Sequence, residues 1–295
     1  MRKWQASRAA VKEFRGEALR WEWRDGVVEL TLDLPPLNEI GTVMLADLEK
    51  FVAAFDGLAP TTSACIITSA RPGGFCAGAN LKELYEGALP LPPKKRVAGV
   101  RAFLKRIHVV MNALDEAPFV TIAAVHGLCM GGGLELALVC DLIVADKMSR
   151  FGFPELRLGL IPGFGGIPRL RRDVGNGFIR DLLFTGRTVK AESAQQAGLV
   201  SHLAGEGYAL QVARSMAQQV RKFDAETRVA AKKFLKPIPH QELRKEMELF
   251  CKLFSRPVVM ESLRRFVETD DPMKHLPVAE RPKDSQKESV GEVKR

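Results

Sequence analysis

Three consecutive glycines, Gly131–Gly133, stand between an apolar strand-like run, FVTIAAVHG, and an apolar helical run, LELALVC. A strand that feeds a helix through glycines brings backbone close to backbone. It also leaves the first N–H groups of the helix open to an anion or a developing oxyanion. Glycines alone admit a plainer reading, close packing of a strand against a helix start. Two acids favour the functional one. Glu135 falls in the first turn of the helix among Leu134, Leu136, Ala137 and Leu138. It is expected to be partly buried, where an acid needs a partner or a task. Glu155 follows twenty residues on, just after Pro154. Its plainer reading is a partner for Arg157 or Arg169. A second small-residue turn, FCAGANL (Phe75–Leu81), follows a different buried strand. Two such turns, each aiming one N–H at a shared point, make an oxyanion hole. Two carboxylates beside it suit general acid and base work. Together these features point to an enzyme that makes and quenches an enolate.

The rest of the chain alternates strands and helices. VVELTL (Val27–Leu32), SACIITSA (Ser63–Ala70) and LIVAD read as strands. VMLADLEKFVAAFDGL (Val43–Leu58) and VRAFLKRIHVVMNALDEA (Val100–Ala117) carry apolar residues at helical spacing, and Pro118 stops the second. NLKELYEG predicts a short helix. ALPLPPKKR (Ala88–Arg96), with its prolines and basic cluster, predicts a mobile surface loop. Strand, turn and helix recur at Ile66–Glu83 and Val120–Val139, a hint of stacked ββα turns. From Gly175 onward the pattern turns helical. The expected organisation is an N-terminal extension (1–26), an α/β core (27–204), a helical part (205–276) and a charged, disordered tail (277–295). Residues 1–12 read as a basic surface helix. The apolar faces of the last helices (Phe250, Leu253, Phe254, Leu263, Phe266) exceed what a small subdomain can bury, which predicts association with further copies.

Composition narrows the class. No apolar run approaches a membrane span, so no membrane partner is expected. The five cysteines form no C-x-x-C pair and mostly lie in apolar runs. That predicts free thiols and a reducing, cytoplasmic setting. The five histidines lack ligand spacing, so no metal is expected. The net charge of +9 favours anionic partners. Only Lys94–Arg96 and Arg169–Arg172 cluster, however, so nucleic acid is not the expected partner. Asp141 reads as a cap or buried hydrogen-bond acceptor at a helix–strand junction, and His126 as a packed side chain.

FCAGANLKEL resembles the F-C-A-G-A-D-L-K-E segment of the enoyl-CoA hydratase/isomerase (crotonase) superfamily. AAVHGLCMGGGLELALVCDLIVAD, FGFPELRLGLIPGFGGIPRL and TGRTVKAESAQQAGLV resemble three further blocks of that family. The match runs in register from about Val27 to about Leu203. The resemblance implies a crotonase-like spiral of stacked ββα turns, with a helical C-terminal region that builds homotrimers, usually paired into homohexamers. It implies an acyl-CoA substrate, with coenzyme A as part of the substrate and no separate cofactor. By position, the N–H groups of Ala79 and Gly132 would form the oxyanion hole. Glu135 would assist the attack of water and Glu155 would deliver a proton to Cα. Ala79, Asn80, Leu81 and Lys82, with Gly132, would line the CoA side. Asn80 stands where Asp is usual, PPLNEIG differs from the commoner P-x-x-x-N-A-L form, and RRFVETDDP lacks the familiar Phe-x-x-K-R ending. These departures bear on acyl specificity and CoA contacts more than on class. Because both acids are present, the expected activity is enoyl-CoA hydration, a hydro-lyase reaction. An enoyl-CoA isomerase, an acyl-CoA hydrolase and an RNA-binding member of the family are the alternatives. Short fatty, branched methylglutaconyl-type and cyclic acyl groups all stay open.

Overall fold

The computed structural model describes residues 12–269; residues 1–11 of the expected surface helix and the expected tail at 277–295 lie outside the described residues. Strands β1 (Glu13–Arg15) and β2 (Leu19–Arg24) are antiparallel and lead onto β3 (Val27–Leu32). The sheet therefore starts earlier than the expected boundary at Val27. The sequence LRWEWR explains why. Its period of two puts Leu19 and Trp21 on the buried face, with Arg20 and Glu22 opposite.

Next come α1 (Thr42–Ala53) and α2 (Phe55–Leu58), so the helix expected over Val43–Leu58 breaks at Ala54. Three turns of the spiral follow. The first is β4 (Ala64–Ser69), β5 (Gly74–Cys76), α3 (Leu81–Ala88) and α4 (Pro93–Asp115). The second is β6 (Val120–Val125), β7 (Leu128–Met130) and α5 (Gly132–Leu138). The third is β8 (Leu142–Asp146), β9 (Arg150–Gly152), a 3-10 turn at Glu155–Leu158 and α6 (Gly166–Asp173). Each turn lays one strand into each of two sheets, parallel to the strand of the turn before. The segment α7 (Asn176–Thr185), β10 (Val189–Lys190), α8 (Ala191–Gln196) and β11 (His202–Ala204) closes both sheets. The larger runs β1-β2-β3-β4-β6-β8-β11 and the smaller β5-β7-β9-β10.

The middle strands β4, β6 and β8 of the larger sheet are buried on both faces, which is why they read as nearly continuous apolar runs. Cys65 and Ile67 of β4 join the main core, while Ala64 and Ile66 face α9 (Ala209–Val220). That helix presents Ala209, Ala213 and Ala217, one small residue per turn, and so lies close on the strands.

The expected loop at Ala88–Arg96 is shorter than predicted. Pro92 caps α4 and Pro93 opens it, where a missing N–H leaves no bond unmade, so the basic cluster forms a first helical turn. After α10 (Ala225–Leu235) come α11 (His240–Phe254) and α12 (Pro257–Glu268), which pack on α3, α4 and the 3-10 turn. Phe250, Phe254 and Leu263 are thereby buried within the chain itself, so they are not the surplus apolar face expected from the sequence. Leu249 of α11 and Val258 of α12 are exposed, and more strongly exposed apolar side chains lie elsewhere, among them Phe184, Phe223, Phe234 and Leu235.

Candidate active site

The spiral brings the two glycine turns together. Gly78 ends the first and Gly131–Gly133 the second. A Cβ on Gly132 would meet the Phe164 ring at 2.7 Å and stand 3.4 Å from the Ala79 nitrogen. Only glycine permits this approach. Gly131 adopts φ +48°, in the left-handed region, to turn β7 into α5. The surrounding backbone bonds go to neighbours: Ile40 N–H to Gly78 O, Asn80 N–H to Ile40 O, and Gly131 N–H to Gly152 O. Among the described residues, the N–H groups of Ala79 and Gly132 have no protein acceptor, and both residues line one cavity.

That cavity has a volume of about 290 Å³ and includes both glutamates. Glu135 is buried, and its Oε1 accepts N–H bonds from Phe164 and Gly166, each at 2.7 Å. Burial raises its pKa to about 7, against the lowering pull of those two N–H groups and of the Arg169 charge. Glu155 is half-buried as a residue, yet its Oε2 is enclosed and has no hydrogen-bond partner among the described residues. Burial first, and then the Glu135 charge, hold its carboxyl well above the usual range. Two carboxyls on one wall with separated proton affinities amount to an acid and a base at neutral pH.

The other residues named from the sequence divide. Asn80 caps α3, its side chain accepting from Glu83 N–H at 3.0 Å, and lines the cavity beside Leu81. Lys82 points away: it is exposed on α3, 3.9 Å from Glu86, and does not line the cavity. Asp141 accepts from Thr121 N–H at 2.8 Å and pairs with Lys232 and Lys236, and His126 lies 2.9 Å from Arg71 O. The Arg169–Arg172 cluster is not a free basic face. Arg169 is wholly buried and, with Arg172, pairs with Asp115, while Arg171 pairs with Glu242. All five cysteines are free and buried, and burial pushes Cys76, beside the first turn, up to about 12. Such a thiol is no nucleophile at neutral pH. Among the described residues no cluster of His, Cys, Asp and Glu could hold a metal ion, and no helix is long and apolar enough to cross a membrane.

Two contributors were missed in the sequence. Phe250 of α11 lines the cavity and packs on Gly163. Glu246, one turn before it, is buried and accepts from Ile167 N–H at 2.9 Å. The signal lay in the spacing of Leu243, Glu246, Phe250 and Phe254, an acid set into a helix's apolar stripe.

This chain is similar to known proteins in sequence and fold. The enoyl-CoA hydratase/isomerase family model matches residues 22–274. A Rhizobium meliloti (strain 1021) protein named "Probable enoyl-CoA hydratase" is 35% identical over 257 residues, covering 85% of this chain and 95% of that one. An Arabidopsis thaliana protein named "Probable enoyl-CoA hydratase 2, mitochondrial" is 38% identical over 200 residues, covering 67% of this chain and 63% of its own length. The crystal structure of enoyl-CoA hydratase from Bacillus halodurans superposes with a TM-score of 0.76 at 23% identity, over 84% of this chain and 99% of that one, which makes the fold common to both.

Proposed function

The chain belongs to the enoyl-CoA hydratase/isomerase family, and we propose that it adds water across the α,β double bond of an enoyl-CoA thioester. The observation that carries this reading is the pair of enclosed carboxyls, Glu135 and Glu155, on the cavity wall that Ala79 and Gly132 also line. The thioester oxygen takes the two N–H groups, which stabilise the enolate as water adds at Cβ. Removing one such donor typically costs about 3–4 kcal/mol of transition-state stabilisation. Glu135, which titrates near neutrality, serves as the base on water. Glu155, which keeps its proton, delivers it to Cα, and the proton that Glu135 has taken from water then passes to Glu155 and restores both groups. Neither step calls on a metal or a redox cofactor. The test is a panel of enoyl-CoA thioesters offered to the purified protein, with loss of the conjugated chromophore as readout. No loss with any member rejects the reading.

The same reading extends to assembly as a trimer or a pair of trimers. Phe184, Phe223, Phe234 and Leu235 are each more than half exposed. Single exposed apolar side chains are ordinary, whereas an exposed apolar patch marks an interaction surface, and Phe234 and Leu235 stand side by side at the end of α10. Light scattering that returned a single-chain mass of 32.6 kDa would reject it.

A further inference from the structure

Glu246 has no place in the mechanism above, yet it is a buried acid next to it. It reaches from α11 to the start of α6, where its Oε2 accepts from Ile167 N–H at 2.9 Å. Its Oε1 is enclosed with no hydrogen-bond partner among the described residues. The preceding N–H, that of Gly166, donates to Glu135 Oε1 at 2.7 Å, as does Phe164 N–H. Two carboxyls thus hang from consecutive N–H groups of one helix start. On the next turn of α11, Phe250 packs against Gly163 at the other end of the same loop; a Cβ there would sit 2.6 Å from its ring. One helix therefore grips both ends of the loop that holds Glu135.

We propose that Glu246 is a positioning residue for this site: by accepting the Ile167 N–H it fixes the Phe164–Ile167 turn, and so sets the aim of Glu135. This rests on the hydration reading for Glu135. The charged groups around Glu246 support the neutral form. Burial and then the Glu135 charge raise its pKa; the Ile167 N–H and the Arg169 charge oppose them. Arg169 already pairs with Asp115 of α4 at 2.7 Å and donates to Phe164 O and Gly165 O. His108 of α4 faces Gly163 O at 2.8 Å, and burial holds it toward its uncharged form. At the surface, Arg101 of α4 pairs with Glu248, while Glu261, Arg264, Arg265 and Glu268 of α12 pair with one another. A second carboxylate charge beside Glu135 would find no free cation among these groups.

The test titrates Glu135 by ¹³C-carboxyl NMR in the free protein and follows kcat and KM against pH. Glu246→Gln keeps a neutral acceptor for Ile167 N–H, so it should leave the Glu135 titration, kcat and the acid limb of the profile unchanged. Glu246→Leu removes the acceptor and loosens the N–H groups on Glu135. It should move that titration and the acid limb to higher pH and lower kcat by up to about 10²-fold, the scale of a 1 Å misplacement, with little change in KM. If the leucine variant does not fold, Glu246→Ala removes the same acceptor without a bulky side chain and should give the same shift. The proposal is overturned if Glu246→Gln moves the titration to lower pH, which would make Glu246 a charged group. It is equally overturned if the bond-removing variants move neither titration nor kcat. A native protein inactive on every enoyl thioester would remove the hydration reading, while the titration would still decide whether Glu246 sets Glu135.

Discussion

The carboxyl of Glu155 lies against the bare Cα of Gly131: a Cβ there would stand 2.6 Å from its Oε1. The acid and the turn that opens α5 are fitted to each other across the third and second turns of the spiral. Gly131→Ala should therefore act twice. The methyl pushes Glu155 off its position, and φ +48° strains any residue with a Cβ. The expected stability loss is about 1–3 kcal/mol from the backbone, with kcat down by about 10²-fold for a misplaced acid. Thermal unfolding and steady-state kinetics on the best substrate check the two parts separately.

Glu135→Gln and Glu155→Gln should each nearly abolish hydration and leave CoA-ester affinity largely intact. Gln keeps the shape and still hydrogen-bonds, but it carries no exchangeable acid proton. Each group is expected to contribute about 10²–10⁴-fold, and as members of one unit they should not add in the double variant. A one-acid isomerase would separate the variants, one lethal and one mild. It would also convert a β,γ-enoyl thioester without taking up solvent oxygen. Single-variant kinetics with both substrate types in ¹⁸O-water distinguish the two reactions.

Much of this was legible beforehand because it rested on local chemistry. The strand at Val27–Leu32 was readable to the residue, since its β-branched content marks a strand and Pro35–Pro36 end the run. Glu135 stood out as an acid inside an apolar helix. What stayed hidden depended on partners far along the chain. The contact between Glu246 and Ile167 spans 79 residues, and no local pattern states which N–H a buried acid will reach. Strands β1 and β2 were hidden because their arginines and glutamates mask the alternation. The helical start at Pro93 was hidden because the prolines before it signal a loop.

Glu135 should also set a pH dependence of stability. Its pKa rises from 4.5 to about 7 on folding, so between those values the folded protein holds a proton that the unfolded chain has released. Stability then falls as pH rises through that window and levels off above it. Glu135→Gln removes the effect. It should match the native protein below the window and exceed it above, by at most about 3 kcal/mol. An inactive variant with a higher melting temperature at alkaline pH is the expected outcome of urea and thermal melts run across pH. Equal stability at alkaline pH would mean that Glu135 is not held toward its neutral form.

The last prediction concerns the acyl group. The cavity wall beyond the two acids is apolar, with Leu84, Val100, Phe103, Leu104, Phe164 and Phe250 among its residues. Among the described residues that line it, Arg96 is the one cation, and its guanidinium is already engaged. Nε donates to Leu91 O at 2.6 Å and Nη2 to Leu89 O at 3.2 Å. An acyl chain that ends in a carboxylate would leave that charge among apolar side chains, or beside Glu83, Glu135 and Glu155. Burying an unpaired carboxylate is heavily unfavourable, and like charges nearby add to the penalty. An unbranched apolar chain meets no such barrier, and each buried methylene contributes about 0.8 kcal/mol. Straight-chain enoyl thioesters should therefore show higher kcat/KM than methylglutaconyl-type thioesters, and the gain should grow with chain length until the cavity fills. Phe103→Ala should move that limit to longer chains. Measured kcat/KM along a chain-length series, with a carboxylated member of equal length, checks each step. If the carboxylated thioester is the better substrate, Arg96 must exchange its backbone partners for the acyl carboxylate, and the apolar reading of this wall fails.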